Sequence, residues 1–548
     1  MKKTFLLSCL MLAAMPVMAA YTGHVYVDKN KNGVFDQSEK PLAGIKVSDG
    51  LNVVETAADG SFTLPGHERE RFIFITTPSG YKTFNRHYHK IEKKQSGYDF
   101  GLIPYSGRIR KDGSHRYIHI TDTEIFNTEN HADWVNNVHD YARNEQAAFI
   151  IHTGDICYEK GLKAHIKLMN TENMDCPVFY CIGNHDLVKG KYGEELFESI
   201  YGPVYYSFDA GNVHYVVTPM PGGDHAPGYT SDDVCRWLKN DLAHIRPGTP
   251  VVVFNHDLLT YEDTFIFKSK NAGSINLNEY NLKAWVYGHW HINYMKKQGD
   301  VYSVCTSSLD KGGIDHSTTA FRVMHVDSKG DFTSELRYTY LDKNICIASP
   351  AGVMASGVLP VAVNVYSSVS PVREVLYTCL ADGKPVLKNK RLLQSTDWSW
   401  NGELPLSHKY VGKELTLRVT ARFNNGEIAE AESNFICRTE KTVPLFSADW
   451  DNLSGNAKHS APVSAPLNLP LQLAWTNNVG ANLYMTSPLI HKGKVIVASV
   501  DEDLKGAGHV YALNGKDGTI LWSCPVRNSI KNSIAVDSDI VFAQDAQG

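Results

Sequence analysis

The chain has little cysteine for its size and no pattern in it. Ten cysteines are scattered over 548 residues, and no Cys-x-x-Cys pair occurs. A disulfide-dense scaffold is therefore excluded. With Cys9 set aside in the first twenty residues, nine remain, an odd number, so at least one thiol is unpaired within the chain. Cys176 and Cys181 are a candidate disulfide that spacing alone does not assign. Strongly basic segments are also missing. Lys and Arg total 54 against 59 Asp and Glu, a formal charge of −5, which argues against nucleic acid as the main partner. Long apolar runs are lacking too. Thr4 to Met18 is apolar but short for a membrane span, and no transmembrane segment is expected after it.

What is present begins with that run. Lys2 and Lys3 precede it, and Val17-Met18-Ala19 closes it with small residues, so residues 1–20 read as a signal peptide. The mature chain is expected to start near Ala20 or Tyr21. It would carry 52 basic against 59 acidic residues, a charge of about −7. Export to the periplasm, cell surface or medium is the expectation.

Residues 21–104 read as an all-β module, with runs such as Gly23-His24-Val25-Tyr26-Val27 between Gly, Asp and Pro. From 115 to 345 strands alternate with helices. Trp134, Val135, Val138, Tyr141 and Ala142 recur at helical spacing. Ser231 reads as the N-cap of a second helix, with Val234, Trp237, Leu238 and Leu242 on one face. Residues 347–440 return to β alternation and suit a sandwich. In 449–548, Ser487 to Ala498 recurs 45 residues later as Asn532 to Ala543. That period suits a propeller blade. The second copy is cut by Gly548, so this segment is expected to be an incomplete propeller from a longer protein.

Chemistry-bearing residues cluster just past five strands of the middle region. Asp122-Thr123-Glu124 follows Ile120; Gly154-Asp155 follows Ile151; Gly183-Asn184-His185-Asp186 follows Ile182; Asn255-His256 follows Phe254; Gly288-His289-Trp290-His291 follows Tyr287. Loops at the C-terminal edge of such strands converge. Asp, Asn and His together make a mixed oxygen and nitrogen ligand set for transition metals. A glycine before the ligand lets the chain turn sharply off the strand. In Gly-His-x-His, two imidazoles one residue apart would point to one side of an extended segment and reach two adjacent ions.

In this order the five motifs resemble the calcineurin-like metallophosphoesterase superfamily, over about Arg116 to Asp310. The resemblance implies an α/β core, a β-sandwich flanked by helices, and a hydrolase of phosphomonoesters or phosphodiesters with a bridging metal-bound water as nucleophile. It also implies a small phosphate-ester substrate. Residue by residue, Asp155 would bridge two ions; Asp122 and His291 would hold the first; Asn184, His256 and His289 would hold the second. His185 would be the acid that protonates the leaving oxygen. The ions would be divalent or mixed-valence transition metals, Mn, Fe or Zn. Two departures bear on this. Glu124 stands where the family has histidine, and a ligand role and a neighbouring role both stay open. Tyr158 gives Gly154-Asp155-x-x-Tyr158, similar to purple acid phosphatases, where the tyrosine binds ferric iron; a packed tyrosine is the alternative.

The flanking modules carry resemblances of their own. Asp28, Asn30, Asn32, Asp36 and Glu39 fit the spacing of a twelve-residue calcium loop, in a setting that resembles the calcium-decorated β-modules of surface proteins; a plain Asn-Gly turn is the alternative. Ala512 to Trp522 resembles the blade motif of quinoprotein-like (PQQ-repeat-like) propellers, in which the tryptophan packs between blades; no quinone is implied. Two rival functions remain: a surface binding or adhesion protein with a vestigial metal site, and a purple-acid-phosphatase-like iron enzyme. Substrate identity and oligomeric state are not legible.

Overall fold

A computed structural model describes residues 20–439, 449–461 and 473–548. The leader expected over residues 1–20 lies outside the described residues but for Ala20.

The N-terminal module is two small sheets. One pairs Tyr21–Val27 with Lys40–Pro41, Ser61–Leu64 and Phe100–Pro104; Tyr81–Thr83 pairs with the last of these. The other runs Val53–Glu55, Lys46–Ser48, Phe72–Ile75, Tyr88–Lys90. The strand alternation of Phe72–Ile75 ties this module to its neighbour. Ile73 and Ile75 point into the module's own core, and Phe72 and Phe74 enter the core of the next domain. The loop from Asp28 to Glu39 closes on itself. Asp28 accepts the backbone N–H groups of Asn32 and Gly33, Glu39 accepts those of Lys29 and Asp36, and Asp36 accepts the Asn30 and Asn32 side-chain amides. Asp28, Asp36 and Glu39 do not gather into a single metal-sized cluster.

The middle domain is a sandwich of two sheets with few helices. One sheet has the order Val178–Tyr180, Phe149–His152, His115–Ile120, Ala320–Val326, Phe332–Tyr338. The other has the order Tyr206–Ala210, Val213–Val217, Val251–Phe254, Leu282–Tyr287, Val301–Cys305, Tyr294–Gln298. The strands that precede the motifs run parallel within each sheet. Tyr117, Phe149, Phe208, Tyr215 and Phe254 fill the space between the sheets. Helices Ala132–Asn144, Tyr158–Leu168 and Glu195–Tyr201 cover the outer face of the first sheet through Trp134, Val138, Leu162 and Phe197. Helix Ser231–Ala243 buries Trp237, Leu238 and Leu242. Its cap is Thr230 rather than Ser231. The Thr230 hydroxyl accepts the Asp233 N–H and the Asp233 carboxylate answers the Thr230 N–H, a complete capping box.

Cys176 and Cys181 are both free thiols. They flank the strand Val178–Tyr180 and enter different cores, Cys176 among the helices and Cys181 between the sheets. The sheet thus separates the pair.

Strands from Asn344 to Arg438 form a second, all-β sandwich of a four-stranded and a five-stranded sheet. Beyond it, Leu489–His491, Lys494–Ala498, His509–Asn514 and Ile520–Pro525 make a four-stranded antiparallel meander, and Ala535–Asp537 pairs with Ile540–Phe542. Trp522, expected to be packed, is 39% exposed on the outermost strand. The packed tryptophan here is Trp475, whose ring lies on Gly518 and whose N–H donates to the Gly515 carbonyl.

Candidate metal centre

The parallel strands of both sheets end at one edge, and the motif residues leave them in strained backbone. Asp122, Glu124, Asp155, Tyr158, His289 and His291 all have positive φ, between 44° and 65°. Non-glycine residues pay for such conformations, and they cluster where function over-determines the backbone. The glycines divide into two roles. Gly154 has φ of 100° and makes the turn. Gly183 and Gly288 instead give clearance. A Cβ on Gly183 would stand 2.2 Å from Asp155 Oδ1, and one on Gly288 would stand 1.9 Å from Thr121 Oγ1. The segment carrying His289 and His291 is not extended, because both residues are left-handed. Their side chains are separated by that twist and not by strand alternation.

The side chains converge all the same. Asp155 Oδ2 lies 3.1 Å from His256 Nε2, which is 3.9 Å from Asp122 Oδ1. His291 Nε2 lies 3.2 Å from Asp122 Oδ1 and 3.6 Å from Glu124 Oε1. Ligand atoms of Asp155, His256 and His289 fall within 4.8 Å of one another. Asp122, Asp155 and His256 are buried. Two buried polar atoms in this group have no hydrogen-bond partner: His256 Nε2, close to Asp155 but not aligned with it, and Asn184 Oδ1. Such orphans are costly unless something binds them. The donor set of carboxylate, amide oxygen and imidazole is that of a transition-metal site, so the residues fit a pair of ions.

The surrounding bonds orient the ligands. His256 Nδ1 is 2.7 Å from the Thr153 carbonyl, which makes Nδ1 the protonated nitrogen and leaves Nε2 as the ligand atom. The His289 N–H donates to Asp122, and the His185 N–H donates to Asp155. Behind Thr153 runs a buried polar file. The Thr153 hydroxyl meets His119 Nε2 at 2.8 Å, His119 Nδ1 meets the Thr306 hydroxyl at 2.8 Å, and Arg322 Nε donates to Thr306. Burial and the Arg322 charge hold His119 neutral by lowering its pKa well below the usual value.

Charge is unevenly shared among these groups. Burial works against a proton on His256, but the Asp155 and Asp122 carboxylates raise its pKa to about 10. Burial and the neighbouring Asp155 charge push Asp186 up to about 7, while its carboxylate accepts the Gly183 and Cys157 N–H groups. His185 is raised above its ordinary value. Partial burial opposes this, and the bond to Asp224, 2.8 Å from Nδ1, outweighs it together with the Asp155, Asp224 and Glu124 charges.

Glu124 lies beside the ligands and is paired with Lys311 at 2.8 Å. Tyr158, the first residue of its helix, is 43% exposed, with its ring 5.3 Å from that of His185. Three participants escaped the sequence reading: Asp224, Lys311 and the file through His119. Asp224 had a signal in Gly222-Gly223-Asp224, because a Cβ on Gly223 would stand 2.4 Å from the Asn184 carbonyl. A cleft of about 930 Å³ lined by Arg108, Asp112, Glu145 and Asp331 includes none of these residues.

Comparison with known proteins agrees with this geometry. Residues 29–104 match the family described as N terminal of Calcineurin-like phosphoesterase, and residues 115–293 match Calcineurin-like phosphoesterase. The chain therefore carries both domains of that family. It is 26% identical over 215 residues to Purple acid phosphatase 13 of Arabidopsis thaliana, an alignment covering 37% of this chain. The chain spans 36% of that relative's length. Among solved structures it is similar to a conserved uncharacterized protein (predicted phosphoesterase) of Streptococcus pneumoniae TIGR4, at 10% identity, 41% of this chain and 98% of the other, with a TM-score of 0.20. Another is CopC from Methylosinus trichosporium OB3b, at 13% identity, 18% and 100% coverage, and a TM-score of 0.15. Scores that low carry no argument about fold.

Proposed function

We propose that the calcineurin-like phosphoesterase domain of this chain hydrolyses small phosphate esters, mono- or diesters, with two divalent or mixed-valence transition ions, Mn, Fe or Zn. The observation that carries this reading is the convergence of Asp155, His256 and His289, whose ligand atoms lie within 4.8 Å of one another, with the buried Asn184 Oδ1 left without a hydrogen-bond partner. Asp155 would be shared by both ions. Asp122 and His291 would complete one site; Asn184, His256 and His289 would complete the other. When bound, the ions supply a Lewis-acid pair that activates water and neutralises charge on the phosphoryl group. The protein's own share is positioning and proton supply. Asp224 holds His185 Nδ1, which orients the ring so that Nε2 would give a proton to the leaving oxygen.

The relative named as a purple acid phosphatase supports a second version, in which one ion is ferric and Tyr158 binds it. That version predicts a coloured protein, whereas a pair of divalent ions leaves it pale. An adhesion protein with a vestigial site is less well supported, because carboxylate and imidazole groups from separate motifs converge at one edge of the sheets. The leader reading of residues 1–20 favours an exported protein, and the meander from Leu489 to Pro525 suits one propeller blade.

The test is elemental analysis of the purified protein together with hydrolysis of matched chromogenic mono- and diesters. Active protein is expected to contain two transition ions per chain. Asp155→Ala is expected to lose bound metal and most activity together. Full activity in protein free of metal would overturn the reading.

A further inference from the structure

Of the six large apolar residues that the middle domain leaves exposed, Tyr340 and Leu341 lie at its C-terminal end and the other four lie close to the metal motifs. Phe126 is 56% exposed, Tyr158 43%, Tyr261 73% and Ile314 76%. Phe126 lies two residues after Glu124. The Tyr158 N–H donates to the His185 carbonyl, and the Ile314 N–H donates to the His291 carbonyl. Tyr261 lies against Trp290, between the two histidines of Gly-His-Trp-His, with ring centroids 6.0 Å apart and planes at 21°. Exposed apolar side chains scattered singly need no explanation, but a rim of them around a reactive centre marks a binding surface.

One part of this rim is built with care. Phe126 and Tyr158 have ring centroids 6.3 Å apart and planes within 17° of parallel, and the Tyr158 ring is followed by the His185 imidazole at 5.3 Å. Three rings thus run outward from the acid. The chain works to hold them there. Ile125 is buried and anchors the loop, so its neighbour Phe126 stands outside. The Ile125 carbonyl rests on Gly161 of the helix below, where a Cβ would come within 2.3 Å of that oxygen. Tyr158 itself sits at φ of 54°, a conformation unfavourable for a bulky side chain. Strained backbone and a cleared glycine spent on exposed rings point to a ligand that covers them.

We propose that Phe126 and Tyr158 form the subsite for the leaving group, and that the preferred substrates are phosphate esters whose departing alcohol carries a flat ring, a nucleobase or an aryl group. The inference rests on the phosphoesterase reading. His185 gives its proton to the departing oxygen, so whatever that oxygen carries must lie on the His185 side of the centre, over Tyr158 and Phe126. A planar ring gains there by stacking on rings that water otherwise covers. An acyclic polyol gains nothing from them.

The test uses pairs that share the same kind of leaving oxygen and differ in the ring: adenosine 5′-monophosphate against ribose 5-phosphate, and 2-phenylethyl phosphate against butyl phosphate. Each is assayed as the monoester and as its methyl diester, with the metal-loaded full chain. The ring-bearing member is expected to have the higher kcat/KM by about tenfold. Phe126→Ala is expected to bring that ratio toward one, and Phe126→Trp to restore or raise it. Hydrolysis of both members at equal efficiency by the wild-type protein overturns this inference and leaves the phosphoesterase reading standing. So does a ratio that Phe126→Ala leaves unchanged. No hydrolysis of any ester by the metal-loaded protein overturns both.

Discussion

At the scale of single residues, the catalytic proposal turns on His185 and its partner Asp224. A general acid helps most where the departing oxygen is most basic. His185→Ala is therefore expected to slow esters of simple alcohols at least tenfold more than activated aryl esters. Equal losses in steady-state kinetics would make the residue structural. A second residue gives a pH signature away from the metals. His214 is buried between Asp241, 2.8 Å from Nε2, and Asp209, 2.7 Å from Nδ1; Lys46 lies 3.5 Å from Nδ1, and Ser207 donates to Asp241. Burial lowers its pKa, but the Asp241 charge and the two bonds raise it above the ordinary value overall. A raised folded pKa means that the native state holds this proton more tightly than the unfolded chain does. The resulting stability is complete below the unfolded value, about 6.5, and is lost as pH rises through the folded value. The difference in melting temperature between wild type and His214→Gln is expected to shrink steadily above about pH 6.5. A difference that stays constant with pH would contradict the assignment. Asp241→Asn removes the buried one of the two carboxylates that pair with the imidazolium and is expected to cost about 3 kcal/mol in denaturant unfolding of this domain.

At the scale of elements, the loop from Asp28 to Glu39 tests what spacing can and cannot say. The spacing suits calcium, yet its carboxylates are already satisfied by the loop's own N–H groups. An ion would have to displace those bonds, so a weak site is expected. Ligand that binds only the folded state must still raise its melting temperature. Millimolar calcium is expected to raise the first melting transition of the intact chain by a few degrees, and Asp28→Ala to abolish that increment without touching bound transition metal. Calorimetry in which wild type and variant respond alike to calcium would assign the loop as a plain turn.

At the scale of the whole molecule, the C-terminal segment is joined to the phosphoesterase domain more firmly than its sequence implies. Arg322, fully buried, donates to Asp503 at 2.5 Å. Lys531 pairs with Asp315 at 2.7 Å and with Glu502 at 2.8 Å, and Asn528 donates to the Met295 carbonyl. All five motifs precede Asp310, and from sequence that suggests the segment is dispensable. The contacts argue otherwise, because a buried guanidinium left without its carboxylate is costly. Arg322 also donates to Thr306, in the file that ends behind His256. Removing residues after 449, or replacing Asp503 with Ala, is expected to lower the melting temperature of the phosphoesterase domain. Limited proteolysis is expected to leave residues 473–548 attached under native conditions. Release of that stretch as a compact unit, with no change in the domain's melting, would refute the coupling. The outer strand Ile520–Pro525 is exposed along its length, including Trp522. It is the place where the segment is expected to associate at high concentration.

The sequence alone showed the strands that precede the motifs, two of the middle domain's helices and the five clusters at the strand ends. Those depend on local periodicity and on residue type: alternation for strands, a three-to-four spacing for the helix of Trp134 to Ala142, and glycine before Asp155, Asn184 and His289. It could not say why each glycine was needed. Gly183 and Gly288 answer to atoms more than 25 residues away in the chain, Asp155 and Thr121. Only the tertiary structure decided which partners complete the site. Asp224 reaches His185 across 39 residues, Lys311 reaches Glu124 across 187, and Asp503 reaches Arg322 across 181. It also separated Cys176 from Cys181, moved the helix cap from Ser231 to Thr230, and turned His289 and His291 out of the extended form. The reason is common to all of these. Propensity and pattern act over a few residues, whereas hydrogen-bond satisfaction, close packing and charge pairing are settled between segments that meet only once the chain has folded.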